Sequence, residues 1–300
     1  MDYILQTNNL TKIYSKKSVV SNVNMNIKRG DIYGFIGKNG AGKTTLIRMV
    51  VGLALPTQGD VELFGSTELN VQRKRIGTTI ENPALYPNMT ARENLEYYVR
   101  LYGVPEKDAI DEMLKLVGLE DTGKKKSKNF SLGMKQRLAI AIALLGNPDF
   151  LLLDEPMNGL DPFGIKEMRE LLLELNKKGI TILISSHILG ELSKIATRYG
   201  IINNGVLVDE FTKDELAERC RRCIKIKVDD TQRATTIIEE KFGTTEFDVL
   251  PDNIIRIFSH VDKVSEVNRQ LVLGDVAVER IATAGQDLEG YFVELMEGRE

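Results

Sequence analysis

The chain has 300 residues, 42% of them hydrophobic and 28% charged, with 40 basic side chains against 43 acidic ones. That length suits one large α/β domain and a smaller one, or two ordinary domains, and the near balance of charge argues against a protein that works by coating nucleic acid, while leaving room for a local basic face. The longest uninterrupted apolar run, Leu138 to Leu145, is too short to cross a bilayer, and the N-terminal MDYILQTNN lacks a leader pattern, so a cytoplasmic chain is expected.

Taken in order, YILQTNNLTKIY and VVSNVNMNI alternate apolar and polar residues as half-buried strands do. GDIYGFIG then gives a short strand running into a glycine-rich loop, and KTTLIRMVVGL continues with helical spacing as far as Gly52 and Pro56. From about Ser66 to Asn129 the sequence is helix-rich, because ARENLEYYVRLYG and DAIDEMLKLVGL carry apolar residues three and four apart. Strands return at FLLLD and ITILISS, separated by the helical GIKEMRELLLELNKKG. Such alternation predicts a mainly parallel sheet covered on both faces, carrying an α-helical insertion.

Beyond residue 212 the character changes. CIKIKVDD, QRATTIIEEKFG, NIIRIFSH, DKVSEVNRQLVLG, VAVERIATAG and DLEGYFVELMEG read as strand, helix, strand, helix, strand, helix. Residues 1–212 and 213–300 are therefore expected to be two domains, the second small and α+β. Cys220 and Cys223 form a lone C-x-x-C; with only His187 and His260 in the chain they read as reduced thiols and not as a zinc site.

Two stretches carry chemistry. Gly37, Lys38, Asn39, Gly40, Ala41, Gly42, Lys43 and Thr44, followed by Thr45, satisfy G-x-x-x-x-G-K-[ST] between a strand and a helix. Glycines let backbone N–H groups wrap a phosphate, the lysine reaches β and γ oxygens, and the threonine hydroxyl holds Mg2+. The second stretch is FLLLDE, a buried strand that delivers Asp154 and Glu155 at its carboxyl end. Adjacent carboxylates there are costly without a cation or partner. Asp154 is assigned to the Mg2+ side, and Glu155 to the base that polarises the attacking water.

With these anchors, residues 3–209 resemble the nucleotide-binding subunit of an ABC transporter. FSLGMKQR falls where that family carries its signature loop, NGLDP follows the second carboxylate, and ISSH ends on the family's switch histidine, His187. Tyr14 falls where the family stacks an aromatic ring on adenine. The resemblance implies a P-loop cassette: a mainly parallel sheet with an antiparallel β subdomain and an α-helical subdomain. It also implies a head-to-tail pair of identical chains, each ATP lying between one chain's phosphate loop and the other's signature helix. Ser131 and Gly133 then face the partner's γ-phosphate, Asp161 lies near the seam, and His187 contacts the γ-phosphate of its own chain's ATP. The implied partners are that second copy and an integral membrane permease holding the chain at the inner face of the membrane, with no nucleic acid.

The sequence departs from the family pattern at two places. The signature Leu-Ser-Gly-Gly-Gln is here Phe130, Ser131, Leu132, Gly133 and Met134, which keeps the anion-binding serine and second glycine. Glu81 stands where most members carry a glutamine, and a carboxylate is a harder oxygen ligand for Mg2+. Glu81 with SLGMKQRL resembles the ATPases of bacitracin- and lantibiotic-type peptide transporters. Glu81 to Asn94 falls where the family has its coupling region; Pro83, Tyr86 and Pro87 within it read equally as a surface for the permease or as ordinary loop packing. The alternatives are the ATPase of a drug or ion exporter, or a soluble ABC-type ATPase switching a ribosome, DNA or a regulator.

Overall fold

Alternating polarity in Tyr3–Tyr14 forms β1, whose Ile4, Leu5 and Leu10 are fully buried. Ser15 and Lys16 both take left-handed backbone angles (φ 44° and 69°), closing a tight hairpin onto β2 (Lys17–Val23). In the computed structural model, which describes residues 2–81, 84–103, 108–285 and 290–292, two compact units follow from this start: Met1–Lys213 and Asp214–Glu300.

In the first unit, β2, β3 (Asn26–Lys28) and β5 (Gln58–Leu63) each pair antiparallel with β1, and β4 (Ile32–Ile36) and α1 (Lys43–Val51) lie between β3 and β5 in sequence. There follow α2 (Leu69–Gln72), β6 (Ile76–Thr79), α3 (Ala91–Tyr102), α4 (Asp108–Leu116), α5 (Leu132–Leu144) and β7 (Phe150–Asp154). The unit ends with α6 (Pro162–Lys177), β8 (Thr181–Ser186), α7 (Leu189–Leu192), β9 (Arg198–Asn203) and β10 (Val206–Thr212). The second sheet has the order β10-β9-β4-β8-β7-β6, parallel throughout except where β10 meets β9.

Each residue of β4, β7 and β8 is buried, as a parallel sheet covered on both faces requires. One core joins the two sheets, from Leu5 and Met25 through Leu46 and Met49 on α1 to Phe35, Phe150 and Leu183. Because β8 lies between β4 and β7, Ile36 is level with Ser186, and Asp154 with Ser185. The carboxyl ends of three neighbouring strands therefore open onto one place.

The helix-rich reading of Ser66 to Asn129 needs a correction, because β6 lies inside it as the edge strand beside β7. The second unit also exceeds expectation. After α8 (Lys213–Arg219) come β11 (Cys223–Val228), α9 (Thr231–Phe242), β12 (Phe247–Leu250), β13 (Ile254–Ile257), α10 (Val264–Leu273) and β14 (Val278–Ala284). Its sheet, β12-β13-β11-β14, is antiparallel at every pairing, so the extra strand β12 makes this a split βαβ arrangement. Its own core includes Ile224, Ile226, Ile238, Ile255 and Leu271. Of the expected last helix only residues 290–292 are described, and they are helical.

Candidate active site

The loop after β4 requires glycine for two separate reasons. Gly40 and Gly42 have φ of 81° and 109°, angles that residues with a side chain rarely adopt. Gly37 is excluded from substitution by proximity, since a Cβ there would meet the Ile202 carbonyl oxygen at 2.6 Å. The loop delivers the amino terminus of α1, nine residues long, whose free N–H groups favour an anion.

Lys43 turns back over this loop. It is 5% exposed, donates to the Gly37 carbonyl at 2.6 Å and to that of Lys38 at 3.3 Å, and lies 3.1 Å from Glu155 Oε1. The last contact is one of charge, with no aligned hydrogen bond. The other carboxylate oxygen, Glu155 Oε2, is 2.9 Å from His187 Nδ1. The first residue of α1 and the residues that directly follow β7 and β8 thus form one chain of contacts, lysine to glutamate to histidine.

Beneath it is a second chain. Thr44 Oγ1 donates to Asp154 Oδ2 at 2.7 Å, and Ser185 Oγ donates to Asp154 Oδ1 at 2.5 Å. Ser185 Oγ also accepts the Glu155 N–H at 3.0 Å, holding Glu155 in a left-handed backbone conformation (φ 51°). Ser185 was missed by the sequence reading; the only signal was a pair of serines closing an otherwise apolar strand, where buried hydroxyls need partners.

A hydroxyl beside one nearly buried carboxylate fits Mg2+, which takes hard oxygen ligands and shares its shell with phosphates. Among the described residues no three His, Cys, Asp or Glu side chains gather as a metal cage. The cavity over the loop measures about 190 Å3 and is lined by Val19, Asn39, Gly40, Gly42, Lys43, Thr44, Thr45 and Glu155. Small-molecule sites commonly enclose about 300–1,000 Å3, so this pocket suits phosphates more than a whole nucleotide.

The remaining candidates lie elsewhere. Tyr14 is 46% exposed at the end of β1, with the Lys12 ammonium 4.8 Å from its ring centre. Ser131 caps α5, its Oγ accepting from the Met134 N–H at 3.3 Å, and Asp161 caps α6, its Oδ1 accepting from Gly164 at 2.8 Å. Both are exposed, and neither they nor Gly133 line the phosphate cavity. Glu81 shares a small cavity with Asp154, but its carboxylate is paired with Arg48 at 2.5 Å. Of the coupling-region residues, Pro83 lies outside the described residues; Tyr86 is partly exposed and packs edge-on against Tyr97, with ring centres 4.4 Å apart.

The profile of the ABC transporter family matches residues 20–158. Over 302 aligned positions the chain is 45% identical to the bacitracin transport ATP-binding protein BcrA of Bacillus licheniformis, covering 99% of both. This chain belongs to the ABC transporter ATP-binding proteins. As an ABC ATPase it is also 44% identical to the lantibiotic transport ATP-binding protein SrtF of Streptococcus pyogenes, over 70% of this chain and 92% of that one. A solved dimeric ATP-binding cassette in a post-hydrolysis state, bound to ADP and Pi, superposes with a TM-score of 0.62 at 29% identity, covering 70% of this chain and 98% of that one. The ABC ATPase reaction is hydrolysis of ATP, and the subunit serves a transporter.

Proposed function

We propose that this subunit hydrolyses ATP as a head-to-tail dimer on a separately encoded membrane permease, powering efflux of a peptide antibiotic of the bacitracin or lantibiotic type. The observation that carries the cargo class is the 45% identity to the bacitracin ATPase along essentially its whole length. Residues 1–212 act as the nucleotide-binding domain and 213–300 as an accessory domain. The permease holds the subunit at the inner membrane face; among the described residues of the chain itself no helix is long and apolar enough to cross a membrane.

In this reading the backbone from Gly37 to Thr45 cradles the phosphates, Lys43 neutralises the β and γ oxygens, and Tyr14 stacks on adenine. Thr44 and Asp154 hold Mg2+, with Glu81 as a further oxygen ligand once released from Arg48. When bound there, Mg2+ would offset the negative charge of the phosphates. Glu155 takes a proton from water as the water oxygen bonds to the γ-phosphorus and the bond from that phosphorus to the β-phosphate oxygen breaks, leaving ADP and phosphate. His187 orients Glu155 through Oε2 and reaches the γ-phosphate. Ser131, Gly133 and the amino terminus of α5 complete the partner's site, with Asp161 at the seam.

Expression of the chain together with its permease in a sensitive host tests the cargo. Tolerance to bacitracin or a lantibiotic should rise with the wild-type ATPase and not with Lys43→Ala. A rise confined to non-peptide drugs would move the assignment to a drug exporter, and no change in tolerance to any compound would remove the efflux reading.

A further inference from the structure

Gln136 lies on α5, less than two turns from the Ser131 end, and its two amide atoms are treated unequally. Nε2 is 3.5 Å from the carbonyl of Asn158, which begins the loop leading to Asp161. Oε1 is buried, and among the described residues no donor reaches it. A buried amide oxygen left in this way is costly, whereas an apolar side chain of similar shape is close to neutral. Packing alone therefore does not account for a glutamine at this position.

The side chain lines a cavity of about 20 Å3, together with Thr79, Glu81, Ala139, Ile140, Asp154 and Pro156. That volume has room for one water, and a bound water needs two to four polar partners. Gln136, Thr79, Glu81 and Asp154 offer them. The same α5 packs its first turn on the following loop: a methyl on Gly159 would come within 3.0 Å of Leu132 Cδ2, and one on Gly133 within 3.6 Å of Leu160 Cδ2.

The geometry points to Gln136 as a positioning residue for ATP hydrolysis: through one water it keeps the Glu81 and Asp154 side of the chain's own nucleotide site in register with the signature helix. The consequence is a link between two devices that serve different nucleotides. Movement of α5 by a partner's phosphate is transmitted to the carboxylate that holds this chain's metal. This inference rests on the assignment of Asp154 to the Mg2+ side.

The test uses the full-length chain and three variants, Gln136→Leu, Gln136→Ala and Asp154→Asn. Thermal midpoints are measured without nucleotide, and kcat and KM for ATP at saturating Mg2+. Loss of an outer residue that orients a metal ligand typically costs about 10–100-fold. Gln136→Leu should keep or raise the thermal midpoint, leave KM within about twofold and lower kcat about tenfold or more. Gln136→Ala should unfold at lower temperature yet turn over no more slowly than the leucine variant. A leucine variant with wild-type kcat overturns the inference. So does a kcat that falls in step with stability, alanine below leucine, which marks a packing role. Normal turnover by Asp154→Asn would instead refute the metal assignment, whatever the Gln136 variants do.

Discussion

Asp154 has both carboxylate oxygens engaged by hydroxyls, one from Thr44 on α1 and one from Ser185 on β8. Ser185 does more than anchor that group, because its backbone oxygen and its Oγ both accept the Glu155 N–H, at 3.2 and 3.0 Å. A left-handed conformation costs a residue with a side chain roughly 1–2 kcal/mol, and these two acceptors offset that cost at Glu155. Ser185→Ala leaves one oxygen of a nearly buried carboxylate without its donor and loosens the turn that aims Glu155. The expected outcome is a loss of about 1–3 kcal/mol in urea unfolding and about a tenfold lower kcat with unchanged ATP affinity. Equal kcat for the variant and the wild type would show that the turn holds Glu155 unaided. Lys43 and Thr44 are proposed from a spaced motif, Asp154 and Glu155 from the carboxyl end of an apolar strand, and His187 from the family resemblance alone. Ser185 belongs to no such spacing and gains its meaning only from a partner 31 residues away.

At the level of elements, legibility followed locality. β4, β7 and β8 are continuous apolar runs closed by polar residues, and α3 announces itself through Thr90 and Glu93, whose side chains cap each other's backbone N–H groups. β6 has no such signature. It is four residues long, contains Gly77, and is a strand only because β7, more than seventy residues later, pairs with it. β12 was hidden in the same way, needing β13 to exist. The glycine that obscures β6 also positions it. A Cβ on Gly77 would lie 2.3 Å from the Ala143 carbonyl oxygen on α5, so strand and helix touch through backbone. Gly77→Ala forces them apart and should destabilise the chain by about 1–3 kcal/mol, read as a lowered urea midpoint. Because β6 leads directly to Glu81, the same variant should lower kcat. A midpoint equal to that of the wild type would mean that the edge strand shifts freely against α5.

The largest scale concerns what one chain cannot build alone. Its phosphate cavity of about 190 Å3 contains neither Ser131 nor Gly133, while the thirteen-residue α5 presents its amino terminus at an exposed surface. The proposed dimer, related by two-fold symmetry, would close both deficits with one contact surface. Glu155→Gln keeps the shape that meets Lys43 and His187 but removes the proposed base. It should retain ATP, lose about a hundredfold or more in turnover, and double in mass by light scattering when ATP is added. Gly133→Asp in that background separates the two halves of the site. A Cβ there meets only Leu160, at an ordinary contact distance of 3.6 Å, so the fold should be kept, while in the proposed dimer the carboxylate would face the partner's γ-phosphate. The double variant should bind ATP with the affinity of an isolated chain and remain monomeric. If it dimerised with ATP as readily as Glu155→Gln alone, the amino terminus of α5 would have no part in holding the partner's nucleotide. The two phosphate-binding devices would then have to be explained within a single chain.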